Sequence, residues 1–283
     1  MAVYLASYPG GTRQKNQALI GSGTRPPVFA WRKSRHSGKQ HKVFIPQEST
    51  NKELVLVVGD SHLRSFVEGD VVIRPHGPYG FGFSSSLGAT AHELELEVQQ
   101  LHVDRQVSLC VVLATGNDTD KKTLTQAGQD FERLLSTVLR RWKKACVVDF
   151  PTCHTVSEAV QNQFRQEYRR LAEANGLRYV SCADKFPMDN LGLWVRDGVH
   201  LSVPEGVQVL ADLICKAVKD EVVNTRAPTS CPGEVTAAPS KPSTEFPDLV
   251  PICPPPKAVQ SPAPSHEGGV SVGHDSKMHE KSS

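Results

Sequence analysis

No stretch of this sequence approaches the ~18 consecutive apolar residues that a membrane-crossing helix needs. Its start, MAVYLASYPGGTRQKNQ, lacks a basic segment followed by an apolar run, so a cleaved signal peptide is not expected. The seven cysteines are odd in number and never spaced C-x-x-C, which argues against a disulfide framework or a zinc site. A reducing, intracellular compartment, cytoplasmic or nuclear, is the expectation. The lipase-type elbow G-x-S-x-G is missing, because Asp60 separates Gly59 from Ser61 and Leu63 stands where the second Gly would be. Net charge is also small, +2 in 283 residues, but unevenly spread. Residues 1–50 carry eight Lys/Arg against one Glu, whereas residues 51–220 carry 19 against 22 acids. At 39% hydrophobic and 22% charged, the composition excludes a chain that is disordered, fibrous or membrane-embedded throughout.

What is present divides into three parts. Residues 1–50 are rich in Gly, Pro, Ser, Arg and Lys without sustained apolar periodicity, which predicts a disordered basic arm. Residues 223–283 are Pro-rich, with segments such as Cys253-Pro-Pro-Pro-Lys257, and are expected to be extended and unpacked. Residues 51–222 are long enough for one substantial core.

That core alternates strand and helix patterns. Leu54–Val58, Val71–Ile73, Val107–Leu113, Ala145–Asp149 and Leu177–Ser181 read as five strands. Continuous β-branched and aliphatic runs of this kind suit strands buried on both faces of a parallel sheet. Helical spacing appears on Ala91, Leu94, Val98 and Leu101, on Leu124 through Trp142, on Val160 through Leu171, and on Leu210 through Ala217. Thr155 with Glu158, and Ser202 with Glu205, have capping-box spacing. The order predicts an α/β, doubly wound three-layer sandwich with a five-stranded, mostly parallel sheet. Ligands of such folds bind beyond the carboxyl ends of the strands.

Three segments fall at that edge. Gly59-Asp60-Ser61-His62-Leu63-Arg64 follows the first strand, where a Ser is held at the sheet edge, or where Asp60 or Ser61 caps a short helix. Thr115-Gly116-Asn117-Asp118 follows the third strand, and the Asn117 amide is a donor suited to an oxyanion, or belongs to an ordinary turn. Asp197-Gly198-Val199-His200 precedes the last helix, and a carboxylate that orients an imidazole supplies a general base of fixed tautomer. His62 is the rival base, disfavoured because adjacent turn residues point apart.

Together these segments resemble the SGNH (GDSL-type) hydrolase family. Its first block reads Gly59-Asp60-Ser61, its third Thr115-Gly116-Asn117-Asp118 and its fifth Asp197-Gly198-Val199-His200. Gly88, before the first long helix, resembles its second block. The likeness covers about residues 52–220, and Thr115 departs from it by replacing a Gly. The longer Gly59–Arg64 and Asp197–Ser202 segments also resemble esterase-like proteins linked to some retroelements.

The resemblance implies a flavodoxin-like SGNH fold and a serine esterase or acyl hydrolase. Ser61 is then the nucleophile, His200 the base and Asp197 its partner, with the oxyanion held by the amides of Ser61 and Gly88 and the side chain of Asn117. Cofactors and metals are not required, and the substrate is a small acyl ester. An acyltransferase would use the same residues. The alternative of a different class is a catalytically silent binding or adaptor module that engages nucleic acid or protein through the fold and the basic arm. Phe81, Phe83 and Trp194 are candidate substrate walls, with core anchoring as the competing role. A monomer is expected.

Overall fold

In the computed structural model, which describes residues 20–47, 52–73, 77–203 and 205–226 (side chains of 222–226 excepted), a β-strand leads into alternating strands and helices. The order is β1 (His41–Phe44), β2 (Glu53–Gly59), α1 (Arg64–Glu68), β3 (Tyr79–Ser86), α2 (Ala91–Gln100), β4 (Val107–Leu113), α3 (Leu124–Arg141), β5 (Ala145–Val148), α4 (Glu158–Ala174), β6 (Arg178–Val180) and α5 (Glu205–Arg226). The six strands form one sheet in the order β1-β3-β2-β4-β5-β6, with β1 antiparallel at the edge and every other neighbour parallel.

The two-residue period of a strand sends its aliphatic run to both faces. Val55, Val57, Val111 and Leu113 join α1 and α5 residues such as Phe66, Leu210 and Ile214. Leu56, Val58, Cys110 and Val112 join α2, α3 and α4 through Leu94, Phe131, Leu134 and Tyr168. Helix starts are set by side-chain caps. Thr90 and Glu93 form a reciprocal capping box at α2, and Thr123 accepts from the Gln126 amide at α3. At α4 the cap is Ser157, two residues past the predicted Thr155. Ser202 Oγ accepts from the Gly206 amide at the start of α5, one residue beyond the Glu205 amide that the predicted capping box would use.

Two expectations change. Val71–Ile73 is not a strand; Val71 and Ile73 are buried in an irregular connection, and the strand beside β2 is β3. In β3 the aromatics and glycines alternate. Phe83 packs on Phe66 with ring centroids 5.2 Å apart, and a Cβ on Gly82 would lie 2.9 Å from Ile45 Cδ1. The bare glycine face therefore lets β1 and the residues after it close over the strand.

The second change concerns the expected arm. Residues 20–47 are part of the fold, because backbone pairing and one aromatic anchor them where no apolar run does. β1 pairs with β3, and Trp31 packs against the core while its Nε1 donates to Glu68 Oε1 at 2.9 Å. Residues 1–19 and the Pro-rich tail from 227 lie outside the described residues. The predicted 222/223 boundary falls within α5.

Candidate active site

β2 delivers Ser61 to the carboxyl edge of the sheet. A Cβ on Gly59 would lie 2.9 Å from Leu113 Cβ, so the glycine there permits the close approach of β4. The chain then turns tightly through a 3₁₀ turn, Ser61–Leu63, capped by the Asp60 side chain. Asp60 is fully buried. Its Oδ1 accepts from the His62 amide at 3.0 Å and faces His62 Nδ1 at 2.8 Å. Its Oδ2 accepts from Asn117 Nδ2 at 2.8 Å and lies 3.1 Å from Thr115 Oγ1. Burial opposes the charge of Asp60, but the His62 ring and these donors outweigh it and hold the carboxyl below its ordinary range.

β4 delivers Thr115 and Asn117. The Thr115 hydroxyl accepts from the Asn117 amide at 3.1 Å, and its single proton has two acceptors, Ala89 O at 2.7 Å and Asp60 Oδ2. This is the residue that replaces a Gly of the family pattern, and its side chain ties together three segments at the strand ends. The two hydrogens of Asn117 Nδ2 are directed at Asp60 and at Thr115 Oγ1, the latter 3.1 Å away. The expected oxyanion donor thus orders the carboxylate next to Ser61. Asp118 is buried and caps α2, accepting from the Ala91 amide and the Tyr168 hydroxyl, each at 3.0 Å.

The loop before α5 delivers Asp197 and His200. Gly198 makes the loop possible, with φ at +66° and space too tight for a Cβ, which would lie 3.0 Å from His154 Cβ. Asp197 Oδ1 accepts from the amides of Val199 and His200, each at 2.9 Å, and Oδ2 lies 2.7 Å from His200 Nδ1. Partial desolvation raises the Asp197 pKa, but hydrogen bonds from His200 and Val199 outweigh it and keep the carboxylate well below its usual range. An Nδ1–H donated to Asp197 leaves Nε2 with the basic lone pair. Ser61 and His200 line the same cleft, although no hydrogen bond joins them among the described residues. His62, the rival base, has no free ring nitrogen: Nδ1 faces Asp60 and Nε2 lies 3.2 Å from Val199 O.

The cleft has a volume of about 20 Å³, room for about one water molecule. Its near wall comes from Arg25, Pro26 and Val28, in the segment expected to be disordered. That segment is a strap. The Ile20 amide donates to Arg196 O at 3.0 Å, the Gly23 amide to Trp194 O at 2.9 Å, and the Val203 amide to Thr24 O at 2.7 Å. Arg64, which also lines the cleft, donates from its guanidinium to Phe29 O and stacks on Trp31 at 4.9 Å from the ring centroid. The sequence carried no apolar signal for this covering, because it is held by backbone pairing.

The aromatic candidates lie elsewhere. Trp194 is fully buried, with its Nε1 donating to Thr152 O at 2.8 Å, and Phe83 is in the core. Phe81 packs part-buried against the same core face. Neither Phe81 nor Trp194 lines the cleft. Among the described residues no group of three His, Cys, Asp or Glu side chains is placed to hold a metal.

No protein-family model matches the sequence, and no curated protein matches it. Among solved structures, the chain is similar to a lipase/acylhydrolase from Enterococcus faecalis, with a TM-score of 0.50 and 14% identity over 59% of this chain and 96% of that one. A GDSL-like lipase from Bacteroides thetaiotaomicron aligns with a TM-score of 0.47 and 15% identity, covering 62% and 92% of the two chains. Est24, a carbohydrate acetylesterase from Sinorhizobium meliloti, aligns with a TM-score of 0.46 and 14% identity, covering 62% and 100%.

Proposed function

We propose that this chain, which has the fold of the SGNH (GDSL-type) hydrolases, is a serine ester hydrolase with Ser61 as nucleophile, His200 as base and Asp197 as the orienting carboxylate. The observation that carries the reading is the 2.7 Å contact from His200 Nδ1 to Asp197 Oδ2 in a cleft that Ser61 also lines. Ser61 Oγ attacks the acyl carbonyl while its proton passes to His200 Nε2. Asp197 stabilises the resulting imidazolium. The tetrahedral oxyanion is met by the backbone amides of Ser61 and Gly88. Collapse breaks the ester C–O bond, and His200 returns the proton to the departing alcohol. Water then attacks the acyl-enzyme by the same route in reverse.

The Ser61–His200 hydrogen bond forms when substrate enters, as catalytic contacts that are loose in the free enzyme commonly do. Entry requires the strap residues 25–28 to move, because a cleft of about 20 Å³ does not hold an acyl group. The test is labelling of the full chain by a fluorophosphonate, with Ser61→Ala as the control. Labelling of wild type alone supports the reading; equal labelling of both removes Ser61 as the nucleophile.

A specific observation favours the adaptor as second reading. A groove of about 560 Å³ beside the β1 edge is lined by Arg32, Lys33, Arg35, His36 and His41 against a single acid, Glu97. The cationic side chains among them, Arg32, Lys33 and Arg35, suit a polyanion such as nucleic acid. Absence of labelling, together with salt-dependent binding of an oligonucleotide, would place this reading first.

A further inference from the structure

We propose that His62 is a positioning residue: a buried imidazolium that clamps the turn carrying Ser61 to the loop carrying Asp197 and His200. The rate effect rests on the hydrolase reading above, but the protonation state and the clamp do not.

His62 Nδ1 is 2.8 Å from a carboxylate oxygen of Asp60, and Nε2 is 3.2 Å from the carbonyl oxygen of Val199. Both partners are acceptors only. A neutral imidazole has one N–H, so it would leave one nitrogen lone pair facing an oxygen lone pair. The residue is only 8% exposed, which leaves little room for water to replace either partner. The site therefore selects the doubly protonated ring. Asp60, ionised and fully buried, supplies the countercharge.

The clamp spans 137 residues of sequence and ends one peptide unit from His200. The Val199 amide is already held by Asp197 Oδ1. Val199 is thus gripped on its N–H side by the carboxylate that orients the base and on its C=O side by the turn that carries the nucleophile. Nothing else among the described side chains bonds these two segments directly.

The charges facing the ring come from three sides. Asp60 lies in its own turn. Asp197 and His200 lie on the opposite loop, with the His200 ring centroid 6.3 Å away. Arg25, Arg64, Glu68 and Asp70 line the adjoining cleft, where Arg64 is paired with Glu68. Burial alone lowers the His62 pKa, but Asp60 outweighs it and holds the imidazole above its ordinary value. Such a group is fully protonated below ~6.5, and the clamp is lost as pH rises through the higher folded value. The alkaline side of the rate profile then reports His62.

The direct test is ¹⁵N NMR of the full chain with labelled histidine, the His62 signals being assigned by their loss in His62→Gln. At ~6.5, where an ordinary imidazole is half neutral, both ring nitrogens of His62 should still carry protons. A ring with one bare nitrogen there overturns the imidazolium. The clamp is read on His200. Its Nδ1 proton, protected in wild type by Asp197, should exchange with water faster in His62→Gln. Unchanged exchange in a folded variant overturns the clamp. In turnover of a short p-nitrophenyl ester, His62→Gln should lower kcat by roughly 10–100-fold with little change in KM, and should lose the alkaline limb. An unaltered kcat profile overturns the positioning role. If wild type shows neither labelling nor turnover, the hydrolase reading fails by itself, and the two NMR measurements still decide the clamp.

Discussion

Asn117 Nδ2 lies 2.8 Å from Asp60 Oδ2, so the amide that the family pattern aims at an oxyanion is bonded to the carboxylate beside the nucleophile. Two roles for Asn117 are thereby separable. Asn117→Ala removes a donor from a buried charged acceptor, which costs roughly 1.5–3 kcal/mol. Urea denaturation should show a loss of that size. A fall in kcat by ~10²–10³ at unchanged stability would instead mark an oxyanion donor.

Thr115→Gly restores the usual family residue and should do harm. The hydroxyl that accepts from the Asn117 amide and donates to Ala89 O is lost. Loss of a side-chain cap costs ~1 kcal/mol, and loss of backbone restriction adds to it. The expected result is a lower melting temperature and slower fluorophosphonate labelling. Faster labelling would mean that Thr115 obstructs the site.

The strap should limit access to Ser61. A Cβ at Gly23 would lie 2.3 Å from Ser202 Cβ and 2.5 Å from Gly192 O, so Gly23→Ala cannot keep the observed pairing. The variant should release residues 24–28 and raise the labelling rate several-fold while the core still melts cooperatively. An unchanged or lower rate would show that the strap does not gate the cleft.

Trp194 should act through the core. With the indole fully buried and its N–H bonded to Thr152 O, Trp194→Ala should cost ~3–5 kcal/mol. Trp194→Phe, which keeps most of the volume, should label at close to the wild-type rate across short acyl esters and probes. A change of acyl preference in that variant would return Trp194 to the substrate wall.

Stability should depend on pH from both sides. Asp60 and Asp197 have depressed folded values, so their contributions are present above the unfolded value of ~3.9 and are lost as pH falls through the folded ones. His62 has a raised folded value, so its contribution is complete below ~6.5 and declines above it. Urea midpoints measured from acid to alkaline pH should therefore fall at both ends. His62→Gln should flatten the alkaline decline and, because the ring that holds Asp60 low is gone, weaken Asp60's share of the acid decline as well.

The sequence by itself determined the frame. Runs such as Leu54–Val58 and Val107–Leu113 sit in the central strands because a buried parallel strand must be apolar on both faces, and that property is local. The helix faces on Leu94, Phe131 and Tyr168 were legible for the same reason, and so was the arrival of Ser61, Asn117 and His200 at one edge of the sheet. Tertiary structure decided the rest. β3 hides in a Gly-Phe-Gly-Phe segment that carries no ordinary strand pattern, and its glycine face matters only once β1 packs against it. The strap is held by backbone groups that every residue possesses, so its composition reads as loop. The roles of Asn117 and His62 depend on which acceptor stands opposite. Asp60 lies 57 residues from Asn117, and Val199 lies 137 residues from His62. Such partners are chosen by the way the strand ends and loops converge in the fold, and spacing along the chain carries no record of them.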